Sequence, residues 1–234
     1  MNTLKELRQE VYEANMEMVA KGLVIETFGN ASGILREEGL VAIKPSGIHY
    51  HKLRPDDLVI VGLDGRIREG SLRPSSDLPT HLVLYRAFGQ IGGVVHTHST
   101  YATSWAQAGI EIPCFGTTHA DYFRGPVPVT SHMDSSDIED DYERETGNAI
   151  VRRFAGLDPE EFPAVLVAGH APFCWGPSTA EAAHRAVLLE EIARMAYLTL
   201  ALNAAARPIS DILRDKHFLR KHGPARYYGQ PEEK

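Results

Sequence analysis

In the stretch Ile91-Gly92-Gly93-Val94-Val95-His96-Thr97-His98-Ser99, an apolar run is followed by two histidines separated by one residue. Its β-branched residues predict a buried strand. Side chains two positions apart on a strand point to the same face and begin roughly 7 Å apart, so both imidazoles can reach one metal ion. The stretch therefore predicts a central strand that ends in half of a metal site. The alternative is one surface histidine beside one that is only hydrogen-bonded at the strand end.

A third histidine follows a second apolar run. His170 comes after Ala164-Val165-Leu166-Val167-Ala168-Gly169, which also reads as a strand, and a second strand end beside the first would complete a three-histidine site. Three protein ligands leave zinc an open position, as in catalytic rather than structural sites. The alternative is a turn residue shortly before a proline. Five other histidines stand in ordinary helical or loop contexts and are expected to be exposed to solvent: His49, His51, His81, His132 and His184.

Length and composition predict an ordinary soluble globular protein. The 234 residues are 43% hydrophobic and 24% charged, and the formal charge of −7 gives no support to nucleic-acid binding. Cys114 and Cys174 form no CxxC pair, which favours free thiols in a reducing compartment. No apolar run approaches the length of a membrane span, and the first residues read as a polar helix start. We therefore expect a cytoplasmic protein with no membrane or nucleic-acid partner.

Hydrophobic periodicity predicts helices interleaved with short strands. Helices are expected over residues 4–22, 79–89, 101–108, 136–154, 179–203 and 209–222. Besides the histidine strand, strands are expected over residues 23–28, 33–36, 40–43, 58–62, 66–68 and 163–168. Asp64-Gly65 is a hairpin turn signal, and strands joined so tightly are antiparallel. The pattern predicts an α/β fold of one domain over 1–234, layered around a mixed, largely antiparallel sheet.

Three short loops have the composition of an anion site. Lys44-Pro45-Ser46-Gly47 offers a cation, a hydroxyl and a glycine turn, and Phe28-Gly29-Asn30-Ala31-Ser32 offers similar donors. Pro74-Ser75-Ser76-Asp77 precedes a helix, where unpaired backbone N–H groups favour phosphate. Each loop could instead be an ordinary turn, with Asp77 an ordinary helix N-cap. There is no Walker or G-x-G-x-x-G pattern, so the usual signature of nucleotide binding is missing.

Two further segments carry groups that could transfer protons. Asp121 and Tyr122 lie in a stretch whose composition predicts an exposed loop. A carboxylate acts as an acid or a base when its surroundings move its pKa toward neutrality. The run 216–230 mixes cations and aromatics, which indicates a solvated helix face and tail. The alternative, a small RNA-binding patch, is disfavoured by the overall acidity.

Taken in order, these motifs resemble the class II aldolase/epimerase family. The similarity runs from about Leu4 to Gln230, and its most specific parts are His119-Ala120-Asp121-Tyr122 and the ending Tyr227-Tyr228-Gly229-Gln230, which are similar to those of the family's pentulose-phosphate epimerases. Glu145-Thr146-Gly147-Asn148 is a further part of the match. The resemblance implies an α/β/α fold and a Zn²⁺ ion, or another divalent metal. The ligands would be His96, His98 and His170, with Asp77 beside the metal as a candidate fourth.

The resemblance also implies where the substrate and the proton-transfer groups lie. A sugar phosphate would bind at residues of the three loops: Gly29, Asn30, Lys44, Ser46, Gly47, Ser75 and Ser76. Asp121 and Tyr228 would be the proton-transfer pair, with His217 beside them. A homotetramer with sites at its subunit interfaces is implied, in which the segment 209–230 serves a neighbouring subunit. One departure is that residues 167–169 are small where more polar residues, including a second histidine, are expected.

The implied reaction interconverts L-ribulose 5-phosphate and D-xylulose 5-phosphate, within arabinose or ascorbate breakdown. Carbon 4 is not adjacent to the carbonyl group, so its C–H is not acidic enough for simple deprotonation. Without a dinucleotide fingerprint, cleavage and re-formation of the C3–C4 bond is favoured over transient oxidation. One alternative is a metal-dependent ketose-phosphate aldolase of the fuculose-1-phosphate aldolase type, although such aldolases generally have Glu where this chain has Asp77. A remote alternative is a non-catalytic scaffold like the adducin head.

Overall fold

The computed structural model describes residues 3–229 and contains a seven-stranded sheet flanked by helices. The strands are β1 (Asn30–Leu35), β2 (Leu40–Ile43), β3 (Val59–Gly62), β4 (Ile67–Glu69), β5 (Gly93–His96), β6 (Ala164–Leu166) and β7 (Pro172–Gly176). The α-helices are α1 (Leu4–Ala20), α2 (Leu78–Ala87), α3 (Thr100–Ala108), α4 (Thr117–Ala120), α5 (Ser135–Arg153), α6 (Thr179–Leu202) and α7 (Asp211–His222). Two 3₁₀ turns, Tyr50–Lys52 and Pro55–Asp57, follow β2.

The strand order β4-β3-β2-β1-β5-β7-β6 places the histidine strand β5 inside the sheet. All six strand pairs are antiparallel, and the parallel contact in the described residues is an isolated bridge between Val129 and Leu166. In the register of the sheet, His96 lies between Asn30 of β1 and Phe173 of β7. The strand pairing therefore brings the first metal candidate beside one of the predicted anion loops.

Helices cover both faces of the sheet, which confirms the predicted α/β/α layers. Val94 and Val95 of β5 are both completely buried but point to opposite faces. Val95 packs in a cluster with residues of α1, α3 and α6, and Val94 packs in one with residues of α2 and α5. Gly93 lies so close to α6 that a Cβ atom would stand 2.5 Å from the Cα of Thr179. The first residues of β5 are therefore held firmly against the helix layer.

Most predicted elements are confirmed to within a few residues, but the predicted strand over 23–28 is wrong. The segment forms turns, with a hydrogen bond from Phe28 N–H to the Ile25 carbonyl and a left-handed Glu26 at φ 53°. Ile25 and Phe28 remain 52% and 57% exposed, because no neighbouring strand pairs with them. A local apolar run without a partner in the sheet therefore does not become a strand.

Two elements were not predicted from the sequence. Strand β7 begins at Pro172, whose missing N–H weakens the strand signal, although proline is tolerated as the first residue of a strand. Helix α4 is a single short turn after Gly116, where the sequence indicated a loop. Helix α7 begins two residues later than predicted, because the Ser210 side chain caps it by accepting from the Leu213 amide.

Within the described residues, no helix combines the length and apolar character needed to cross a membrane.

Candidate metal centre and substrate site

Three histidines converge at the end of β5. His96 is the last residue of the strand, His98 lies in the link before α3, and His170 lies in the turn between β6 and β7. One ligand nitrogen from each lies within 4.8 Å of the other two, and the Nε2 atoms of His96 and His98 are 3.0 Å apart. The paired strand ends at His96, and His98 reaches the site from the unpaired link that follows.

The surroundings of His96 leave one of its nitrogens available as a ligand. Its Nδ1 lies 3.0 Å from the Pro172 carbonyl oxygen, which can only accept, so Nδ1 carries the proton and donates it. Its ring stacks on Phe173 with the ring centroids 4.3 Å apart. A hydrogen bond at one nitrogen fixes the tautomer and leaves a lone pair on the other, as in most metal-binding histidines.

The three histidines fit a divalent metal ion. His170 has a buried Nδ1 that lacks a hydrogen-bond partner in the described part of the chain. Burial, reinforced by the other histidines, lowers the pKa of His98 to about 4 and that of His170 to about 4, so both imidazoles are neutral at neutral pH. A metal ion binds imidazole in this neutral form. Tetrahedral zinc places its ligand nitrogens roughly 3.3 Å apart, and the three histidine nitrogens here lie within 4.8 Å of one another.

Asp77 faces the histidines and not the helix that follows it. Its backbone occupies the N-cap position of α2, but its side chain makes no capping hydrogen bond, so the ordinary N-cap interpretation is wrong. Instead, its Oδ2 accepts from Asn30 Nδ2 at 2.6 Å. Burial alone would raise the pKa of Asp77, but the neighbouring histidines His96, His81 and His170 and the hydrogen bond from Asn30 together hold that pKa below its usual value. The carboxylate is therefore ionised and lies within electrostatic range of His96 and His170.

The three predicted anion loops meet the histidines in one cavity of about 390 Å³. All predicted substrate and metal residues line it: Gly29, Asn30, Lys44, Ser46, Gly47, Ser75, Ser76, Asp77, His96, His98 and His170. The two loop glycines have positive φ angles of 87° at Gly29 and 67° at Gly47, a backbone conformation that other residues rarely adopt. A Cβ atom on Gly29 would also lie 3.0 Å from the His96 carbonyl oxygen.

Two buried polar groups in this cavity are poised for a polar ligand. Lys44 is 2% exposed, and burial lowers its pKa to about 8. Its Nζ lies 4.7 Å from the centre of the Tyr50 ring, and its hydrogen-bond partners among residues 3–229 are two backbone carbonyls, at 3.4 and 3.5 Å. The Oδ1 of Asn30 is buried and has no hydrogen-bond partner in the described residues. An anion beside Lys44 and a hydroxyl donor beside Asn30 would satisfy both groups.

Sequence reasoning missed three residues of this region. Tyr142 and Glu143 line the cavity because α5 breaks at Asp141, whose φ and ψ of −142° and 76° are not helical. His81 was expected to be exposed, but it is completely buried, and its Nδ1 lies 2.7 Å from the Ser32 hydroxyl. The signal for His81 was its position four residues after Asp77, which places both on one face of α2. The other four histidines expected to be exposed are so.

The proton-transfer candidates gather in a second place, at α4 and α7. Asp121 was expected in an exposed loop, but it ends α4 and is only 8% exposed. Its Oδ1 lies 3.0 Å from His217 Nδ1, and Arg220 donates to both of its carboxylate oxygens at 3.0 and 2.8 Å. Tyr228 lies next to this group, with its ring over Arg220 and Lys221. We call these five residues the acidic–aromatic cluster; Gln230 lies outside the described residues.

The acidic–aromatic cluster is separate from the metal cavity of the same chain. None of Asp121, His217 and Tyr228 is among the described residues that line that cavity. Burial alone would raise the pKa of Asp121, but hydrogen bonds from Arg220 and His217 and the charge of Lys221 lower it overall. The structure thus brings the residues together in two groups, with the predicted metal and anion residues in one and the predicted proton-transfer residues in the other.

Comparison with known proteins places these features in a family context. Residues 9–197 match the family described as class II aldolase and adducin N-terminal domain. The chain is 50% identical over 227 residues to L-ribulose-5-phosphate 4-epimerase UlaF of Salmonella paratyphi B, covering 97% of this chain and all of that protein. A solved L-fuculose 1-phosphate aldolase is 25% identical with a TM-score of 0.77, covering 91% of this chain and 94% of that one. YgbL of Klebsiella pneumoniae, a putative aldolase/epimerase/decarboxylase by its title, is 27% identical with a TM-score of 0.74, covering 92% and 99%.

Proposed function

The chain belongs to the class II aldolase and adducin N-terminal domain family, and we propose that it interconverts L-ribulose 5-phosphate and D-xylulose 5-phosphate by epimerisation at carbon 4. The observation that carries the proposal is one cavity that joins a three-histidine metal centre to three anion loops. The 50% identity to a protein named as this epimerase, over 97% of this chain and all of that protein, supports the choice of substrate. A non-catalytic scaffold would not need these groups together.

We assign the cavity residues to two tasks. Gly29, Ser46-Gly47 and Ser75-Ser76 bind the substrate phosphate through backbone amides and hydroxyls, and Lys44 supplies the positive charge. His96, His98, His170 and Asp77 hold Zn²⁺ or another divalent ion, which as a Lewis acid would polarise the ketone and stabilise negative charge on the neighbouring oxygens. Asn30 Oδ1 accepts a hydrogen bond from a substrate hydroxyl, and its Nδ2 keeps Asp77 in place.

Retro-aldol cleavage is the route that these residues favour. A base removes the proton of the carbon 4 hydroxyl while the C3–C4 bond breaks, which gives glycolaldehyde phosphate and the enediolate of the remaining three carbons. The phosphate loops keep the aldehyde in the cavity while it turns its other face, and the C3–C4 bond then forms again with inverted configuration. Inversion requires an acid/base group on each face, and we assign these to Asp121 and Tyr228.

This assignment requires more than one chain. Because the acidic–aromatic cluster does not line the cavity of its own chain, we infer that the segment 209–230 serves the site of a neighbouring subunit in a homotetramer. Exposed apolar side chains support a subunit interface, with Leu202 at the end of α6 90% exposed and Ile212 on α7 85% exposed. Size-exclusion chromatography with light scattering would show a tetramer. An active monomer would refute the shared site.

The proposed cell compartment remains a prediction. Cys114 and Cys174 are both buried and unbridged, as a reducing cytoplasm would keep them. Burial raises the pKa of both thiols, which makes them poor nucleophiles. They therefore have no part in the proposed reaction.

Removing the buried lysine is expected to weaken binding of the sugar phosphate. In Lys44→Met, KM should rise roughly tenfold to a hundredfold, because a charged hydrogen bond to phosphate is lost. The Lys44 pKa of about 8 predicts that kcat/KM of the wild type falls as pH rises through this value, since the neutral amine no longer attracts the anion. The variant should lack this alkaline limb. Steady-state kinetics over pH would check both points.

Lys52→Met is the matched control for the lysine experiment. Lys52 is exposed on the 3₁₀ turn that follows the same loop and does not line the cavity. Its variant should keep the KM and the alkaline limb of the wild type. An unchanged KM in Lys44→Met would remove Lys44 from phosphate binding.

Proton NMR of L-ribulose 5-phosphate with the zinc-loaded protein tests the proposed function directly. D-Xylulose 5-phosphate should form without free glycolaldehyde phosphate, and a chelator should stop the reaction. Free aldehyde without the epimer would assign the protein to the aldolases, in keeping with its likeness to an L-fuculose 1-phosphate aldolase. No reaction with a protein that binds zinc would refute the proposed substrate.

A further inference from the structure

Arg220 of α7 occupies the centre of the acidic–aromatic cluster. Its Nε and Nη2 donate to the two carboxylate oxygens of Asp121 at 3.0 and 2.8 Å, which is the bidentate geometry that only arginine provides. Its side chain is 23% exposed and that of Asp121 is 12% exposed, so the pair is largely removed from solvent. Such a pair restricts the orientation of the carboxylate far more than a single contact does.

The same residue also holds the end of the chain. The Arg220 carbonyl oxygen accepts from the Tyr227 amide at 3.0 Å and from the Tyr228 amide at 3.2 Å. Its guanidinium carbon lies 4.8 Å from the centre of the Tyr228 ring, within the range of a cation–π contact. Arg220 therefore contacts Tyr228 through both backbone and side chain. Tyr228 is otherwise 58% exposed, and its ring has one further cation contact in the described residues, with Lys221.

Lys221 cannot replace Arg220 in this arrangement. Its Nζ lies 3.8 Å from Asp121 Oδ2, too far for a hydrogen bond, while it stacks on Tyr122 at 4.1 Å and on Tyr228 at 4.4 Å. An ammonium group also lacks the planar fork that fixes a carboxylate. Within residues 3–229, Arg220 is therefore the group that links Asp121 and Tyr228 with defined geometry on both sides.

The Asp121 carboxylate keeps one acceptor position for a further hydrogen bond, as a proton-transfer group requires. His217 and Arg220 both approach Oδ1, whereas at hydrogen-bond distance Oδ2 accepts from Arg220 and, in the described residues, from no second side chain. A carboxylate oxygen can accept two hydrogen bonds, so one position on Oδ2 is available. Arg220 thus orients the carboxylate without occupying it completely.

We propose that Arg220 is a positioning residue that holds Asp121 and Tyr228 as one preformed proton-transfer unit, which α4 and the segment 209–229 present to the metal centre of a neighbouring subunit. The proposal rests on the proposed function for the reaction that this unit serves. Pre-orientation matters because displacement of a reacting group by 1 Å can lower a rate by roughly a hundredfold. The bidentate hydrogen bonds of Arg220 to the Asp121 carboxylate and its cation–π contact with the Tyr228 ring are the contacts that prevent such a displacement.

Arg220→Lys and Arg220→Gln test this role, with Lys216→Gln as the control. Lys216 is an exposed cation of the same helix, and its ring contact is with Tyr227, at 5.4 Å. Both Arg220 variants should retain zinc and lower kcat roughly tenfold to a hundredfold, while KM changes by less than about threefold. The control should match the wild type. The lysine variant keeps the charge, so a loss there identifies geometry as the cause.

The pH profile separates positioning from a merely structural role. In Arg220→Gln the Asp121 pKa should rise, because the hydrogen bonds of Arg220 are lost, and the acid limb of kcat/KM should move to higher pH. The groups that still face the Asp121 carboxylate are His217 and Lys221, with His222 on the Asp121 carbonyl oxygen. A smaller shift is expected in Arg220→Lys. Equal kcat and equal acid limbs in Arg220→Gln and Lys216→Gln would overturn the proposal.

Limited proteolysis provides a readout that needs no substrate. Chymotrypsin should cleave after Tyr228 several-fold faster in both Arg220 variants than in Lys216→Gln, since the Tyr228 ring loses its guanidinium contact while the backbone hydrogen bonds at position 220 remain. Equal cleavage rates would show that Arg220 does not hold Tyr228. A wild-type protein with no epimerase activity would refute the proposed function, whereas the cleavage rates would still decide whether Arg220 restrains the segment.

Discussion

Replacement of His98 by Asn is expected to abolish both metal binding and activity. The variant loses one of the three histidine nitrogens that lie within 4.8 Å of one another and that we propose as metal ligands, and the short amide cannot replace the imidazole. Zinc content after dialysis should fall from one ion per chain to near zero. The rate constant kcat/KM should fall by on the order of 10³ or more, because a metal ion contributes several kcal/mol of charge stabilisation.

The control for this substitution is His49→Asn. His49 is exposed, begins a 3₁₀ turn and does not line the cavity. Its variant should bind zinc and turn over substrate like the wild type. Mass spectrometry of the bound metal and a thermal unfolding curve distinguish loss of a ligand from loss of the fold. Full zinc occupancy in His98→Asn would refute the ligand assignment.

Asp121→Asn is expected to lower turnover on the order of 10² to 10⁴, the usual range for loss of a general acid or base. The metal should remain bound, because Asp121 does not line the metal cavity. The amide cannot accept a proton at neutral pH, and it leaves the charges of Arg220 and Lys221 without their common partner. Steady-state kinetics together with zinc analysis would check this pattern of lost turnover and retained metal.

Asp215→Asn is the matched control for the Asp121 substitution. Asp215 lies on α7 and pairs with Arg214 at 2.9 Å, so its removal also deprives an arginine of this helix of a carboxylate partner. Activity should remain close to that of the wild type. Near-normal turnover in Asp121→Asn would exclude Asp121 from the reaction.

Mixing the two inactive variants tests whether one site is built from two chains. Co-expressed His98→Asn and Asp121→Asn chains should form hybrids in which about one quarter of the sites combine an intact metal centre with an intact Asp121, if assembly is random. Activity should then recover toward that fraction of the wild-type value. If each site were contained within one chain, no hybrid could be active, because every chain would carry one of the two substitutions.

Much of this architecture could be predicted because its signals are local. The apolar period of α1 and α6, the hairpin at Asp64-Gly65 and the run that forms β5 depend on residues a few positions apart. The hydrogen-bond donors of the anion loops could also be predicted from the sequence. Loops of glycine and serine beside a lysine offer backbone amides, hydroxyls and a positive charge wherever they lie in the fold. The resemblance then grouped these loops with the three histidines, and the structure places all of them around one cavity.

The sequence by itself thus determined the order of the elements, the layered α/β class and the chemical nature of the ligands. Only the tertiary structure decided that 23–28 finds no strand partner, that His81 is buried, and that Tyr142 reaches the cavity through a break in α5. It also decided that Asp121 meets His217 and Arg220, which are 96 and 99 residues away in the chain. Burial and long-range pairing depend on which surfaces pack together, whereas periodicity and turn chemistry act between near neighbours.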